Sequence, residues 1–165
     1  MLFEWIRTII ILPMNVLVFI PAAILYFAGY RWTPNHPALL ILGGILLTLG
    51  LSLAGWTMRL FAVKGKGTAA PWNPPTKLVI SGPYRHVRNP MITSVLTMQI
   101  AEALLLNTAW CWGLLALFLT SNMIYFPLFE EKDLEKRFGE SYRQYKRNVP
   151  RWLPRITPWT PPREE

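Results

Sequence analysis

The chain has 165 residues, of which 52% are hydrophobic and only 16% are charged, and it contains eight tryptophans. This composition excludes an ordinary soluble domain and indicates a single membrane domain. The net charge of +8 is typical of membrane-protein loops that face anionic lipid, so we expect membrane lipids and no nucleic acid as partners. The lone cysteine, Cys111, excludes an internal disulfide and a cysteine-based metal site, and we expect no metal.

Apolar segments predict an all-α, polytopic helical bundle with about four transmembrane helices. The predicted spans are residues 8–30, 38–58, 91–106 and 109–129. The first is uncharged and long enough to cross a hydrocarbon core of about 30 Å, with a bend expected near Pro13 or Pro21. Asn107 and Thr108 separate the last two spans, so these form an antiparallel hairpin.

Small residues mark one face of the second span. Gly43, Gly50 and Ala54 recur at spacings of seven and four, which lets another helix approach closely.

Two polar segments complete the chain, a loop at residues 62–89 and a tail at residues 130–165. Pro71, Pro74 and Pro75 in the loop favour extended backbone. The tail predicts an amphipathic cytoplasmic helix, whose apolar face combines Leu134, Phe138, Tyr142 and Tyr145. Because nearly all Lys and Arg lie at the termini and in these segments, both termini and the polar face are predicted to be cytoplasmic, in the inner membrane if the protein is bacterial.

The densest polar cluster lies at residues 81–91 and ends where the third span begins. Asn89 and Pro90 are typical of a helix N-cap and first turn, and a helix N-terminus favours an anion. Arg88 supplies a bidentate grip for a carboxylate, and His86 transfers protons near neutral pH. The alternative is a basic flank that contacts lipid headgroups.

Acidic residues form the second constellation. Glu130 and Glu131 follow the fourth span directly and would either grip an ammonium group or ribose hydroxyls, or form ion pairs with Arg85 and Arg88. The alternative is a solvated start of the C-terminal helix. Two adjacent acids on a helix face different directions, so at most one is expected to contact a ligand directly. Glu102 is ionisable inside the third span, which indicates either a functional site or a buried hydrogen bond between helices.

These features together resemble the isoprenylcysteine carboxyl methyltransferase family, and phospholipid N-methyltransferases are similar in the same parts. The resemblance is carried by Gly82-Pro83-Tyr84-Arg85-His86-Val87-Arg88-Asn89-Pro90-Met91, the apolar hairpin, Glu130-Glu131 and Phe138-Gly139-x-x-Tyr142-x-x-Tyr145. The segments Gly65-Lys66-Gly67-Thr68 and Val149-Pro150-Arg151 fit a bacterial branch. It covers about residues 60–155, and Ile92 stands where the family usually has tyrosine.

The resemblance implies S-adenosylmethionine bound at the cytoplasmic edge of the bundle. The implied cofactor residues are Gly65, Gly67, Tyr84, His86, Arg88, Asn89, Pro90, Glu130 and Glu131. Arg88, Glu131 and His86 are the candidates for a catalytic role, and Trp72, Ile92 and Glu102 those for the acceptor side.

The expected activity is therefore methyl transfer from S-adenosylmethionine to a lipophilic acceptor, such as an isoprenylcysteine carboxylate or another membrane-soluble molecule. Such an enzyme holds donor and acceptor in line and excludes water. Two alternatives remain, a membrane reductase of the sterol-reductase type and a non-enzymatic adaptor that binds lipid through its basic face.

Overall fold

The protein is described by a computed structural model, which covers residues 2–68, 70 and 72–161. These residues form six α-helices and contain no β-strand. The helices are α1 (Leu2–Ile11), α2 (Ile20–Phe27), α3 (Pro37–Leu60), α4 (Pro90–Leu106), α5 (Ala109–Tyr125) and α6 (Glu131–Asn148). Pro71, for which extended backbone was predicted, lies outside the described residues, and so does the end of the predicted tail, residues 162–165.

Within the described residues, three continuous helical stretches are long and apolar enough to cross a membrane. They are Ile6–Phe27, Pro37–Gly65 and the apolar part of Ala109–Asn148, while Pro90–Leu106 is a shorter apolar helix. This arrangement confirms the predicted helical membrane bundle. The last stretch runs from α5 into α6 without a loop between them, so the membrane span leads directly into the first part of the polar helix, which ends at a kink at Gly139.

The first span is irregular in the region bounded by its two prolines. A turn at Leu12 is followed by a π-helical segment, Asn15–Phe19, and Asn15 Nδ2 donates to the Ile11 carbonyl at 2.7 Å. The backbone is thus irregular near the two prolines, where a bend was predicted, because proline cannot supply the regular backbone hydrogen bond.

Helices α3 and α4 form the most extensive helix pair. A Cβ atom built on Gly50 would lie 2.5 Å from Met98 Cγ, and one on Gly43 would lie 2.8 Å from Leu105 Cγ. Gly43, Gly50 and Ala54 are all buried, which confirms that the small-residue face permits the close approach of α4.

The short helix α4 is stabilised at its C-terminal end by the connection between α2 and α3. Trp32 Nε1 donates to the Leu105 carbonyl at 3.0 Å, Asn35 Nδ2 donates to the Leu104 carbonyl at 3.3 Å, and the Tyr30 hydroxyl donates to the Leu106 carbonyl. Carbonyls that have no partner within the helix are thus satisfied. Asn107 then turns the chain in a left-handed conformation (φ 48°), as expected for the predicted turn.

Helix α6 returns to the loop that precedes α4. Tyr142, Tyr145 and Val149 form a buried cluster, and Leu134 and Phe138 pack against it. The backbone leaves helical geometry at Gly139 (φ 54°, ψ −130°), a conformation that favours glycine, and the helix then continues to Asn148. The predicted apolar residues therefore pack together, but they come from two helical parts separated by the kink at Gly139 and not from one continuous helix face.

Candidate functional site

A tight turn leads into α4 and sets the position of its first side chains. Residues Gly82–Arg85 form one turn of 3₁₀-helix. Gly82 has a φ of 56°, and a Cβ atom there would lie 2.9 Å from the Trp56 ring, so glycine is needed for both conformation and space. Asn89 occupies the N-cap position without a side-chain capping hydrogen bond, and Pro90 is buried at the start of the helix. The predicted helix start is confirmed, and the Asn89 side chain remains available for another partner.

Glu131 is the centre of a buried charge cluster. Its carboxylate lies 3.0 Å from Arg88 Nη1, 3.1 Å from Lys146 Nζ and 2.5 Å from Arg151 Nε. The exposed fraction is 3% for the Glu131 side chain and 8% for that of Arg88. A carboxylate this deeply buried needs such partners to remain ionised.

The pKa of Glu131 shows that the partners outweigh the burial. Burial alone would raise the pKa of this carboxyl, but hydrogen bonds from Arg151 and Lys146 and the charge of Arg88 bring it below its usual value. Glu131 is therefore a fixed negative charge, which holds the Arg88 guanidinium in one place.

A cavity of about 150 Å³ lies beside this cluster. It is bounded by the loop before α4, the first turn of α4, the polar helix α6 and the end of the helical stretch Pro37–Gly65. We call this stretch, α3 with its π-helical extension Phe61–Gly65, the α3 rod. Its polar lining residues are Tyr84, Arg88, Asn89, Glu130, Tyr142 and Tyr145, and its apolar ones include Phe61, Val79, Met91, Ile92, Phe126 and Leu134.

Three polar atoms of this lining are buried and have no hydrogen-bond partner in the part of the chain that the structure describes. They are the Tyr84 hydroxyl, Arg88 Nε and Asn89 Nδ2. Arg88 Nε and Asn89 Nδ2 are donors, and burial raises the pKa of Tyr84 well above its usual value, so its hydroxyl also keeps its proton. Buried polar groups are nearly always satisfied, so this group of donors indicates an acceptor-bearing ligand.

An outer groove of about 490 Å³ adjoins the cavity at Glu130, which lines both spaces. Apolar side chains from the end of α5 form one wall, and the charged lining combines Lys132, Lys136 and Arg137 with the acids Glu130 and Asp133. Glu130 and Glu131 thus face different directions, as expected for adjacent helical residues.

The described part of the tail, beyond α6, forms a strap over the turn before α4. We call residues 150–160 the strap. The Arg155 amide donates to the His86 carbonyl at 3.0 Å, and the Trp159 amide donates to the Arg85 carbonyl at 2.9 Å. The Trp159 ring packs on Tyr145 at 6.0 Å between centroids. The strap therefore supports residues that line the cavity from behind.

His86 and Arg85 contact the strap. His86 Nδ1 lies 2.8 Å from the Arg155 carbonyl oxygen, and Arg85 donates to the Trp159 carbonyl at 2.8 Å and to the Thr160 hydroxyl. Of the two ion pairs predicted for the acidic residues, the structure forms the one with Arg88, while Arg85 has these partners instead. His86 is not part of the cavity lining.

Other predicted site residues lie outside the cavity. A Cβ atom on Gly67 would lie 2.7 Å from the Pro74 carbonyl oxygen, and one on Gly65 would lie 3.0 Å from Pro75 Cβ. The lack of a side chain at both positions therefore lets the protein's own loop pack closely there. Trp72 stacks under the Arg7 guanidinium, 4.7 Å from the ring centroid. Glu102 is half-buried in the last part of α4, about 18 Å from its start by helical rise.

The structure also adds residues that were not predicted from the sequence to lie in the site. Lys146 and Arg151 complete the charge cluster, and Phe126 and Tyr145 line the cavity. Arg151 belongs to the motif Val149-Pro150-Arg151, which was the one feature of the sequence that could have indicated its place in the site. Nothing in the spacing of Lys146 from Glu131 indicated their contact, because the irregular backbone at Gly139 lies between them.

Comparison with known proteins places these features in a family. The sequence model of phospholipid methyltransferases matches residues 38–141. An uncharacterized protein of Haemophilus influenzae is 38% identical over 64 residues, which are 38% of this chain and 100% of that relative. No solved structure matches the chain. The family match covers α3, α4, α5 and the first part of α6, and thus both Arg88 and Glu131.

Proposed function

The chain belongs to the phospholipid methyltransferase family, and from this premise we propose that it transfers a methyl group from S-adenosylmethionine to a lipophilic acceptor. Membership in this family indicates a membrane methyltransferase in general. The observation that supports the finer proposal is the group of unpartnered buried donors beside the Arg88–Glu131 pair.

The residues around the cavity fit the amino-acid end of S-adenosylmethionine. Arg88 Nε and Asn89 Nδ2 are suitable donors for its carboxylate, because a carboxylate accepts several hydrogen bonds. Glu130 is a suitable acceptor for its ammonium group. The charge cluster around Glu131 holds Arg88 in place, so the guanidinium does not need to be ordered when the ligand arrives.

The size of the cavity also bears on this proposal. At about 150 Å³ it is smaller than the roughly 300–1,000 Å³ typical of a site for a drug-sized ligand. The cavity would therefore accept the amino-acid end, and entry of a whole cofactor requires the adjoining outer groove or a movement of the strap.

The cofactor would supply a methyl carbon already activated by a positively charged sulfur. The chain's own task is then to orient the two reactants and to exclude water. The apolar lining, including Ile92, Met91 and Phe126, excludes water on the side toward α4 and α5. An anionic acceptor needs no base, whereas an amine acceptor needs a proton acceptor.

A lipophilic acceptor would reach the site from the bilayer along the apolar wall of the outer groove. Tyr125, Leu128 and Phe129 form this wall and are exposed. The cofactor would enter from the side that carries the positive charge, which we propose to be cytoplasmic together with both termini.

Isothermal titration calorimetry of the detergent-solubilised protein tests the cofactor claim. We expect saturable binding of S-adenosylmethionine and S-adenosylhomocysteine and no binding of reduced nicotinamide dinucleotide phosphate. Incubation with the methyl-labelled cofactor and a total lipid extract should then give a labelled product in the organic phase. Absence of binding by folded protein would overturn the proposal, and binding of the nicotinamide cofactor instead would favour a reductase.

A further inference from the structure

A second cavity, of about 430 Å³, lies beside the start of the first membrane-spanning stretch, and its lining shares no residue with the cavity beside Arg88. Its walls are the first turns of α1, the end of the α3 rod and the loop that follows. We propose that this cavity binds the phosphate headgroup of an anionic phospholipid. The site is distinct from the one assigned to methyl transfer, and the proposal does not depend on that activity.

The charge of the lining favours an anion. Arg7 and Lys66 contribute two cations, Glu4 contributes one carboxylate, and Asn73 adds a neutral amide that can donate. No ion pair within 4.0 Å joins Glu4 to either cation among the described residues. Both cations are therefore available to a phosphate.

The protein orients the Arg7 side chain and sets the backbone position of Lys66. The Arg7 guanidinium lies over the Trp72 ring, 4.7 Å from its centroid, a contact that orients an arginine. Lys66 stands at the end of the α3 rod in a left-handed conformation (φ 54°), where the chain turns into the loop. The next residue, Gly67, packs so closely on the Pro74 carbonyl that a Cβ atom would lie 2.7 Å from it.

Hydrogen bonds hold the two sides of the cavity together. Thr8 and Thr68 are both buried, and their hydroxyl oxygens lie 3.3 Å apart. Thr68 is held in turn by Asn73, whose carbonyl accepts from the Thr68 amide at 2.7 Å. These hydrogen bonds connect the start of the first helix, which carries Arg7, to the loop that carries Lys66 and Trp72. The two walls of the cavity are therefore held together by the fold.

The position of the cavity selects a lipid over a free phosphate. Arg7 is the last charged residue before an uncharged run that extends from residue 8 to residue 30, and the spanning stretch begins at Ile6. Exposed apolar residues, Ile6 and Ile10, flank Arg7 on the same helix. A phosphate bound here would lie at headgroup level, with acyl chains along the apolar helix, and Trp72 is a residue type enriched at that level.

Lipid retention in nanodiscs tests the proposal. The protein is reconstituted in an equimolar mixture of phosphatidylglycerol and phosphatidylcholine, released, and analysed by native mass spectrometry. We expect enrichment of phosphatidylglycerol on the wild-type protein, and a decrease of about fivefold for each of Arg7→Gln and Lys66→Asn. Asparagine is chosen because it tolerates the left-handed conformation. Glu4→Gln should leave the enrichment unchanged or increase it.

Matched controls separate this site from diffuse attraction to the membrane. Lys77→Gln and Arg147→Gln each remove an exposed cation outside the cavity, and we expect neither to change the enrichment. Equal losses for these controls, or full enrichment in Lys66→Asn and Arg7→Gln, would overturn the proposal. Loss of the wild-type enrichment in excess inorganic phosphate would overturn the assignment to a lipid. Thermal unfolding of each variant identifies any that fail to fold, and Lys66→Asn, at an exposed position, remains informative if Arg7→Gln is unstable.

Discussion

Arg88 Nη1 lies 3.0 Å from Glu131 Oε1, and both side chains are almost completely buried. The contact joins the approach to α4 with the first residue of α6, across the whole α4–α5 hairpin. Lys146 and Arg151 bind the same carboxylate, so three cations converge on one acid. The hairpin thus brings two distant polar segments into one preorganised charge cluster beside a cavity with unpartnered donors.

Removing either member of this pair should weaken cofactor binding. We expect Arg88→Ala and Glu131→Gln each to reduce the affinity for S-adenosylhomocysteine at least about tenfold, which corresponds to roughly 1.4 kcal/mol. The first loses a charged donor, and the second leaves that donor without its fixed position. Calorimetry measures both, with Glu140→Gln and Arg143→Ala as controls from an exposed ion pair. Normal binding by both test variants would show that the cofactor lies elsewhere.

Acid should destabilise the protein through Glu131. Its pKa in the folded protein is below the usual 4.5, so near and below pH 4.5 the unfolded chain binds more protons than the folded one. The stabilisation is therefore fully present above pH 4.5 and is lost as the pH falls through the lower folded-state pKa. We expect the melting temperature of Glu131→Gln to depend less on pH in this range than that of the wild type or Glu140→Gln. Parallel acid profiles for all three proteins would contradict this assignment.

The sequence predicted the helices for reasons that are local, and it predicted one contact of the site from a shared membrane boundary. The uncharged runs, the turn at Asn107 and the helix start at Asn89 depend on nearby residues, and all are present in the structure. The acidic pair after the fourth span suggested an ion pair with Arg88, since both lie at the same membrane boundary, and the structure contains it.

The partners of His86 and Gly67 could not be predicted, because they depend on contacts between segments and the spacing of residues along the chain does not predict such contacts. His86 has a residue type suited to proton transfer, yet its ring meets the strap some 70 residues later. Gly67 has the backbone freedom that a ligand would require, yet the loop itself fills that space. Their roles toward a cofactor remain predictions, and the observed contacts provide a second explanation for each residue type.

The strap contact leads to a specific expectation for His86. His86→Ala should speed hydrogen exchange at the Arg155 and Trp159 amides by about fivefold, since roughly 1 kcal/mol of hydrogen bonding is lost. The pH dependence of kcat should remain unchanged, because the ring does not line the cavity. Exchange is followed by mass spectrometry, with His36→Ala as the control at the only other histidine. A lost limb in the pH profile of His86→Ala would instead assign it a role in proton transfer.

Two glycines of α3 provide a matched test of helix packing. Gly50→Ala would place a Cβ atom 2.5 Å from Met98 Cγ and 3.1 Å from the Ser94 carbonyl oxygen, whereas Gly44 has nothing within 4 Å of that position. We expect Gly50→Ala to destabilise the protein by about 1–3 kcal/mol and Gly44→Ala to be neutral or slightly stabilising, since alanine is the better helix former. Thermal unfolding in one detergent measures both. Similar melting temperatures would contradict the close approach of α3 and α4.

Asn89 offers a test in which stability and binding change independently. Its Nδ2 atom is buried without a partner in the described part of the chain, and its side chain makes no capping hydrogen bond at the start of α4. Asn89→Ala therefore removes an unsatisfied donor and should leave the melting temperature of the free protein unchanged or higher. If the donor serves the cofactor, the same variant should bind S-adenosylhomocysteine about tenfold more weakly, as expected for loss of a hydrogen bond to a charged group.

Asn89→Asp sharpens this comparison because it keeps the size of the side chain and replaces the donor with a negative charge. It should weaken binding of a carboxylate-bearing cofactor further than Asn89→Ala does, through repulsion in a buried site. The two affinities are measured by calorimetry, and the melting temperatures are recorded with and without ligand. A large loss of stability in ligand-free Asn89→Ala with unchanged affinity would show that the Asn89 side chain serves the fold, and the proposed carboxylate contact would then be wrong.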